Sequence, residues 1–354
     1  APSGAVWGWG DNRAGKIGDG TTDLHTAPVR LAAMDDIVDV AAAGHSMALD
    51  SDGTVWTWGH NHYGQLADGT RADRPDSQPV ADLPAARSIA AGSGFSAAVD
   101  RDGEVWVWGF NGQGQLGMPP GAPSAVPVRV PRLEDTRAVV AGAFFLLALQ
   151  EDGTVRAWGR NSYGVLGDGS RNNAHVPVTV EGLTGVTAVA AGGSHALAVR
   201  SDGTVWAWGW NKSGQLGDGT TENRNTPVQV QGIEDAVAVA AGASHSLALL
   251  SDGTVRAWGW NLHGQLGDGT RESHATPVAV PGVEDADRIA AGGSNSYAVR
   301  SDGTVWGWGS GSYGRLGDGG KRVSGPRLSP VPAKDLDGVI ALAAGDGHCL
   351  AVAK

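Results

Sequence analysis

A tryptophan-rich pentapeptide recurs seven times along the 354-residue chain and constrains the fold more than any other feature. It reads V-[W/R]-x-W-G, and its closing glycines are Gly10, Gly59, Gly109, Gly159, Gly209, Gly259 and Gly309. Successive glycines lie 49 residues apart once and 50 residues apart five times. Twelve of the 14 tryptophans belong to the pentapeptide, and Trp210 and Trp260 directly follow it. A period near 50 with several short strands per unit is typical of a β-propeller, so each repeat predicts one blade.

Each repeat contains four strand-like segments, as residues 236–280 illustrate. Residues 236–242 (AVAVAAG), 244–250 (SHSLALL) and 254–259 (TVRAWG) predict three strands. Residues 276–280 (TPVAV) predict a fourth at the outer edge, where a proline need not donate a hydrogen bond. No segment has a sustained 3.6-residue period, and the 56 glycines disfavour a helical bundle. We therefore expect almost no helix.

The order of these segments predicts how the ring closes. The chain begins with a third and a fourth strand (5–10 and 27–31) and ends with a first and a second (339–345 and 348–353). The last blade should therefore combine both termini, which removes the free sheet edges. The prediction is an all-β, seven-bladed propeller of four-stranded antiparallel blades, forming a single domain over residues 1–354.

Strand alternation sorts the loops into two faces. Loops between first and second strands, and between third and fourth strands, share one face, here called the top face. The Ser-Asp-Gly and related Asp-Gly hairpins share the bottom face, and turn geometry explains their sequence because glycine adopts positive φ. We assign the bottom hairpins no function.

Composition limits the classes of partner. With 26 Lys and Arg against 37 Asp and Glu, the net charge of −11 offers no basic footprint for a nucleic acid. No apolar run reaches the length of a membrane span, and the one cysteine, Cys349, cannot form an internal disulfide. A monomer is expected. The start at Ala-Pro-Ser fits a processed secretory protein and a trimmed cytoplasmic one equally.

The first residue of the second strand varies between repeats and is a candidate for the mouth of the central channel. These channel-mouth candidates are His45, Phe95, Phe145, His195, His245, Asn295 and His348. One interpretation is a packed, hydrogen-bonded side chain between blades; the other is a functional group at the channel, with Asp346 nearby. We predict no metal site, because the histidines of this set come from different blades. We also predict no cofactor.

A second variable set follows the Trp-Gly of the third strand, on the top face. The asparagine inside this loop is constant through Asn261 and is interpreted as a loop cap. The residues beside it range over Trp, Phe, Tyr, His, Arg and Asp, and large rings on a rigid loop suit a protein interface. The other interpretation is that the rings only cover the adjacent blade. The partner-binding candidates are Tyr63, Phe110, Phe144, Tyr163, Trp210, Trp260 and Tyr313.

These elements resemble the regulator of chromosome condensation repeat family, of bacterial type. The matching pattern is AAGxxHSLAL–xxDGxVxxWG–xNxxGQLGDGT, best preserved at 240–270. The AGxxHSLAL and AWGxNxxGQ elements are also similar to those of secreted bacterial propellers that inhibit β-lactamases through one face of the ring. The resemblance implies the propeller fold. Guanine-nucleotide exchange, known in the family, is disfavoured because no repeat carries an inserted wedge and no basic residue precedes Arg13.

Two classes of function follow from the sequence. The favoured hypothesis is a non-catalytic propeller that binds a protein partner, such as an enzyme it inhibits, through the top-face aromatic residues. The alternative is an enzyme, or a small-molecule or glycan binder, that uses the top mouth of the channel. No nucleophile–base motif or phosphate-binding loop recurs, which disfavours catalysis.

Overall fold

The structure, a computed structural model, describes residues 3–32, 34–320 and 325–354 and consists of seven four-stranded antiparallel sheets arranged as the blades of a propeller. The innermost strands are β3 (Ile37–Ala42), β7 (Ala86–Gly92), β11 (Thr136–Ala141), β15 (Val186–Ala191), β19 (Ala236–Ala241), β23 (Ala286–Ala291) and β27 (Val339–Ala344). The second strands are β4 (His45–Asp50), β8 (Phe95–Asp100), β12 (Phe145–Gln150), β16 (His195–Arg200), β20 (His245–Leu250), β24 (Asn295–Arg300) and β28 (His348–Ala353). The third strands are β1 (Ala5–Gly10), β5 (Val55–Gly59), β9 (Val105–Gly109), β13 (Val155–Gly159), β17 (Val205–Gly209), β21 (Val255–Gly259) and β25 (Val305–Gly309). The outer strands are β2 (His25–Arg30), β6 (Arg74–Pro79), β10 (Ser124–Arg129), β14 (Ala174–Thr179), β18 (Arg224–Gln229), β22 (His274–Ala279) and β26 (Arg327–Pro332).

We number the blades from β3–β6 (blade 1) to β23–β26 (blade 6). The predicted composite closure is confirmed, because blade 7 has the strand order β2–β1–β28–β27. β1 pairs with β28 without interruption, from Ala5 opposite Ala353 to Gly10 opposite His348. The described residues contain only two helical turns, both 3₁₀, at Arg13–Gly15 and Ser312–Gly314. None of their helices is long and apolar enough to cross a membrane.

The second tryptophan of every pentapeptide joins neighbouring blades. All seven are fully buried, namely Trp9, Trp58, Trp108, Trp158, Trp208, Trp258 and Trp308. Each indole Nε1–H donates to a backbone carbonyl in the top loop of the preceding blade, at 2.7–2.9 Å. Burying the ring while pairing its polar atom explains why this tryptophan is constant. The second position of the pentapeptide, where the first tryptophan stands in the other repeats, is only half-buried, so Arg156 and Arg256 are tolerated there.

Candidate functional site: the top face

Two hydrogen bonds recur in the top loops, the first in blades 2–7 and the second in blades 1–5 and 7. The N–H of the residue after Trp-Gly donates to the carbonyl of the neighbouring loop at 2.9 Å, from Phe110 to Gly94 and from Trp210 to Ser194. The constant asparagine is buried beneath this residue, and its Oδ1 accepts from the N–H five residues on, as from Leu216 to Asn211. The loop-cap prediction is thus consistent with the geometry, and the top face is a preformed platform.

Five of the seven partner-binding candidates lie next to one another. Tyr63 of blade 1 packs on Phe110 of blade 2, with ring centroids 4.8 Å apart, and Phe110 lies 6.0 Å from Phe144 of blade 3. Arg160 continues the series, because its guanidinium lies 6.0 Å from the Phe144 ring and 5.9 Å from the Tyr163 ring. Tyr163 then lies 6.3 Å from Trp210 of blade 4. We call these six residues the top-face arc.

The arc is neither fully buried nor fully exposed. Tyr63 is 43% exposed and Tyr163 is 37% exposed, whereas Phe110, Phe144 and Trp210 are half-buried. Phe110 also packs against the apolar core between blades 2 and 3. Phe110 therefore covers its neighbouring blade in part, while each of the two tyrosines leaves more than a third of its surface accessible.

The other two partner-binding candidates lie apart from the arc. Trp260 contacts His263 within its own loop, at 5.2 Å between centroids. Tyr313 lies 5.2 Å below the guanidinium of Arg13, which also pairs with Asp11 at 2.9 Å. Lys16 Nζ approaches the same Asp11 carboxylate to 2.7 Å. Burial alone raises the pKa of Asp11, but the hydrogen bonds from Arg13 and Lys16 outweigh it and hold the pKa well below its usual range.

The channel-mouth candidates lie between blades, one layer behind the channel wall. All seven side chains are at most 1% exposed. Each histidine of this set bonds through Nε2 to a serine Oγ of the next blade: His45 to Ser96 at 2.6 Å, His195 to Ser246 at 2.9 Å, His245 to Ser296 at 2.9 Å and His348 to Ser46 at 2.7 Å. This is the arrangement that the packing interpretation predicts.

The serine determines which histidine nitrogen carries the proton. Ser246 Oγ–H donates to the carbonyl of Gln215 at 2.8 Å, and this carbonyl also accepts from the Trp258 indole. Because the serine proton is committed, His195 must donate through Nε2–H, which leaves Nδ1 as an unprotonated acceptor. Within the part of the chain that the structure describes, the Nδ1 atoms of His45, His195, His245 and His348 have no hydrogen-bond partner. Burial lowers the pKa of His195 to about 4 and those of the other three to about 3.

Where a blade lacks the histidine, the next blade lacks the serine. Phe95 faces blade 3, which has Leu146 at the serine position, and Phe145 faces blade 4, which has Ala196 there. Asn295 faces Cys349; its Nδ2 donates to the hydroxyl of Tyr297, which in turn donates to the carbonyl of Arg315. Tyr297 thus supplies the donor that a serine at 349 would supply. The residue that opens the second strand of one blade is therefore matched to the residue at the serine position of the next blade.

Few of the described residues that line the channel near these side chains are polar or ionisable. Its cavity has a volume of about 210 Å³ and is lined mainly by alanine and glycine at the ends of the inner strands, with Ser93 and Asp346. Glycine is required there, because a Cβ at Gly242 would overlap Cε1 of His245. Among the described lining residues, Asp346 alone has an ionisable side chain.

One cluster was missed by the sequence analysis. His60 and His62 flank the cap Asn61 in blade 1, and their Nδ1 atoms lie 3.3 Å and 3.7 Å from Asp73 Oδ1. The adjacent pair is visible in the sequence as HNH, but Asp73 lies eleven residues further on. Its position follows from the loop fold, because Asp73 Oδ1 accepts from the N–H of Asn61 at 2.8 Å.

Comparison with known proteins gives the family. The family model of the RCC1-like domain matches residues 5–351. This chain belongs to the RCC1-like domain family. The resemblance to regulator of chromosome condensation repeats is thereby confirmed, and it extends over almost the whole chain. A search of curated proteins by sequence finds no match.

Solved structures agree with this family and with the fold. The human protein WBSCR16 superposes with a TM-score of 0.88 at 24% identity, covering 99% of this chain and 100% of that one. Prp20p from Saccharomyces cerevisiae superposes with a TM-score of 0.88 at 23% identity, covering 100% of this chain and 92% of that one. Yeast RCC1 (Prp20) bound to Kap60 superposes with a TM-score of 0.87 at 22% identity, covering 100% and 90%. At these identities the likeness establishes the seven-bladed RCC1-like fold.

Proposed function

We propose that this RCC1-like propeller is a non-catalytic binding protein that holds a protein partner on the top-face arc. The observation that carries the proposal is the continuity of the arc across blades 1–4, from Tyr63 to Trp210. Tyrosine and tryptophan bury large areas with few rotatable bonds, and an arginine among them adds a directional charge. The platform is preformed by the loop hydrogen bonds, so little ordering entropy opposes binding.

Relatives support a protein as the partner. Prp20p has binding properties toward Gsp1p and histones, and yeast RCC1 (Prp20) has been crystallised bound to Kap60. The AGxxHSLAL and AWGxNxxGQ elements, which resemble those of β-lactamase-inhibiting propellers, suggest an enzyme as the partner of this chain. Trp260 of blade 5 and Tyr313 of blade 6 lie apart from the arc, and a large partner would also contact them.

The test compares binding and stability in the same variants. The full chain captures partners from the host's lysate and culture medium, and the affinity of each identified partner is then measured. Tyr163→Ala and Trp210→Ala should each weaken binding by about 1–3 kcal/mol, the range of interface anchors, with a small change in melting temperature. Trp260→Ala should follow the same pattern with a smaller loss of affinity.

The control variants are Ser201→Ala and Ser251→Ala, which change bottom hairpins and should bind as the parent does. The proposal fails if Tyr163→Ala and Trp210→Ala melt far lower while the remaining folded protein binds normally. It also fails if partners dissociate from the bottom-hairpin variants and stay bound to the arc variants.

A further inference from the structure

Blade 1 brings two imidazoles and a carboxylate together at the outer end of the top face. The ligand atoms of His60, His62 and Asp73 all lie within 4.8 Å of one another. In a zinc site with bonds of about 2.1 Å, neighbouring ligand atoms lie roughly 3.0–3.4 Å apart. The distances of 3.3 Å and 3.7 Å from the two Nδ1 atoms to Asp73 Oδ1 are close to that spacing. His62 has 74% of its side chain exposed, so it is free to close the remaining gap.

The loop holds the carboxylate in place. Asp73 Oδ1 accepts from the N–H of Asn61 at 2.8 Å. Asn61 is itself fixed, because its Oδ1 accepts from Leu66 N–H at 3.0 Å and its Nδ2 donates to Asp68 at 3.1 Å. Second-layer hydrogen bonds of this kind orient ligands before a metal binds. Both imidazole Nδ1 atoms approach this same Oδ1, and a carboxylate oxygen can take a further contact beside one N–H.

The other blades show which part of this cluster the fold requires. The same N–H finds an acceptor in Asn173 of blade 3 at 2.8 Å and in Asn223 of blade 4 at 2.9 Å. A neutral asparagine at position 73 would therefore accept this hydrogen bond as well as the aspartate does. The neighbouring pair is Arg160 and Ser162 in blade 3, and Trp210 and Lys212 in blade 4. The negative charge and the two histidines of blade 1 are thus additions to the loop rather than parts of it.

We propose that His60, His62 and Asp73 bind a divalent transition-metal ion, with Zn²⁺ as the ion that this donor set fits. Neutral imidazoles and one carboxylate are ligands that zinc accepts, and three protein ligands leave a further coordination position open to water or to another donor. This departs from the expectation of no metal, which considered only the histidines of the second strands. The site stands independently of the proposed protein partner.

The experiment titrates Zn²⁺ into the metal-free full chain by calorimetry and repeats it with Co²⁺, whose visible spectrum reports the ligand set. We expect one equivalent of Zn²⁺ to bind. Asp73→Asn keeps the acceptor for Asn61, as Asn173 and Asn223 do, so it should fold normally and weaken binding by about tenfold or more. His60→Ala combined with His62→Ala should abolish the stoichiometric site. His175→Ala removes an exposed histidine elsewhere and should bind as the parent does.

Two results would overturn the site. One is the absence of stoichiometric Zn²⁺ binding by the parent chain. The other is binding that Asp73→Asn and the double histidine variant leave unchanged while the folded state of both is intact by circular dichroism. Imidazole ¹⁵N shifts of His60 and His62 on adding Zn²⁺ give a readout that a purely structural role would not produce.

Discussion

A buried histidine–serine pair at one blade junction can be replaced by the pair of residues that the chain has at another junction. Changing His195 to Phe together with Ser246 to Ala copies the pair Phe145 and Ala196 at the adjacent blade junction. Ser246→Ala alone leaves the His195 Nε2–H without its acceptor, and an unpaired buried polar group costs about 1–3 kcal/mol. His195→Phe alone forces a larger ring against the serine. The double variant should cost less than the sum of the two single changes, with a coupling of about 1–2 kcal/mol.

The pH dependence of the free energy of unfolding gives a second test of the same pair, and its size follows from the pKa of His195. The pKa of His195 is about 4 in the folded protein, against 6.5 for an unperturbed imidazole, so the unfolded chain binds the proton more readily. Stability contributed by the neutral side chain is therefore present above pH 6.5 and is lost as the pH falls toward 4. Between pH 7.5 and pH 5 the loss is about 2 kcal/mol for this one histidine. The double variant has no such group and should lose about 2 kcal/mol less over the same interval.

The assay is urea unfolding followed by tryptophan fluorescence at pH 7.5 and pH 5, for the parent and the three variants. All other titrating groups are shared, so the difference between parent and double variant isolates His195. His175→Ala, an exposed histidine, controls for the loss of a histidine as such and should keep the parent's pH dependence. Equal acid-induced losses in the parent and the double variant would show that the folded protein accommodates the protonated imidazole, and would refute the reasoning.

Two further predictions concern Asp39 of the innermost strand β3 and the closure of the ring. Burial raises the pKa of Asp39 to about 6, against opposing effects of the Val40 N–H and Arg288. Ionisation of Asp39 above that pH therefore lowers the free energy of unfolding. Asp39→Asn should stabilise the protein by about 1–2 kcal/mol at pH 8, allowing for partial access of water, and should not change its stability at pH 4. Thermal melts at both pH values check this, and an equal gain at both would contradict it. Deleting residues 1–31 removes β1 and β2 and should unfold all blades, because it opens two sheet edges. Near-UV circular dichroism and thermal melting test the deletion variant against a circular permutant opened between blades 4 and 5, which keeps every strand and should fold. A deletion variant with the parent's spectrum and melting temperature would refute the closure.

The sequence predicted the ring well because the repeat is read seven times, and a signal that is weak in one copy is reinforced by the others. It predicted the outer strands less accurately. Residues 276–280 were expected where β22 runs from His274 to Ala279, and 27–31 where β2 runs from His25 to Arg30. Most residues of these two strands are partly buried, and the strands pair across a bulge, as between Ala257 and Gly259, so their apolar alternation does not mark their ends.

The histidine–serine pairs can be recognised in the sequence by a constant spacing, which the prediction of strands from apolar alternation does not use. A histidine opening a second strand is followed 51 residues later by serine, as for His45 and Ser96, whereas Phe95 is followed by Leu146. Such a match between adjacent repeats indicates direct contact across a blade junction. The cluster at His60 was harder to find, because its carboxylate comes from the far end of the same loop and only the folded loop brings it back.

On the top face, the residue that follows Trp-Gly varies between blades, although its backbone makes the same hydrogen bond in blades 2–7. Phe110, Arg160, Trp210 and Trp260 all donate the same backbone hydrogen bond at 2.9 Å, and so do Ser310 and Asp11 in blades 6 and 7. A ring at this position is therefore not a requirement of the blade, since a serine meets the same geometry. The bottom hairpins differ in this respect: Asp152, Asp202, Asp252 and Asp302 each accept from a threonine two residues on, so the turn itself selects the side chain. Where the scaffold selects, the copies agree. Where it does not, the copies differ, and rings stand at this position in blades 2, 4 and 5. The proposed protein partner would account for these rings, because blades 6 and 7 make the same hydrogen bond without a ring at this position.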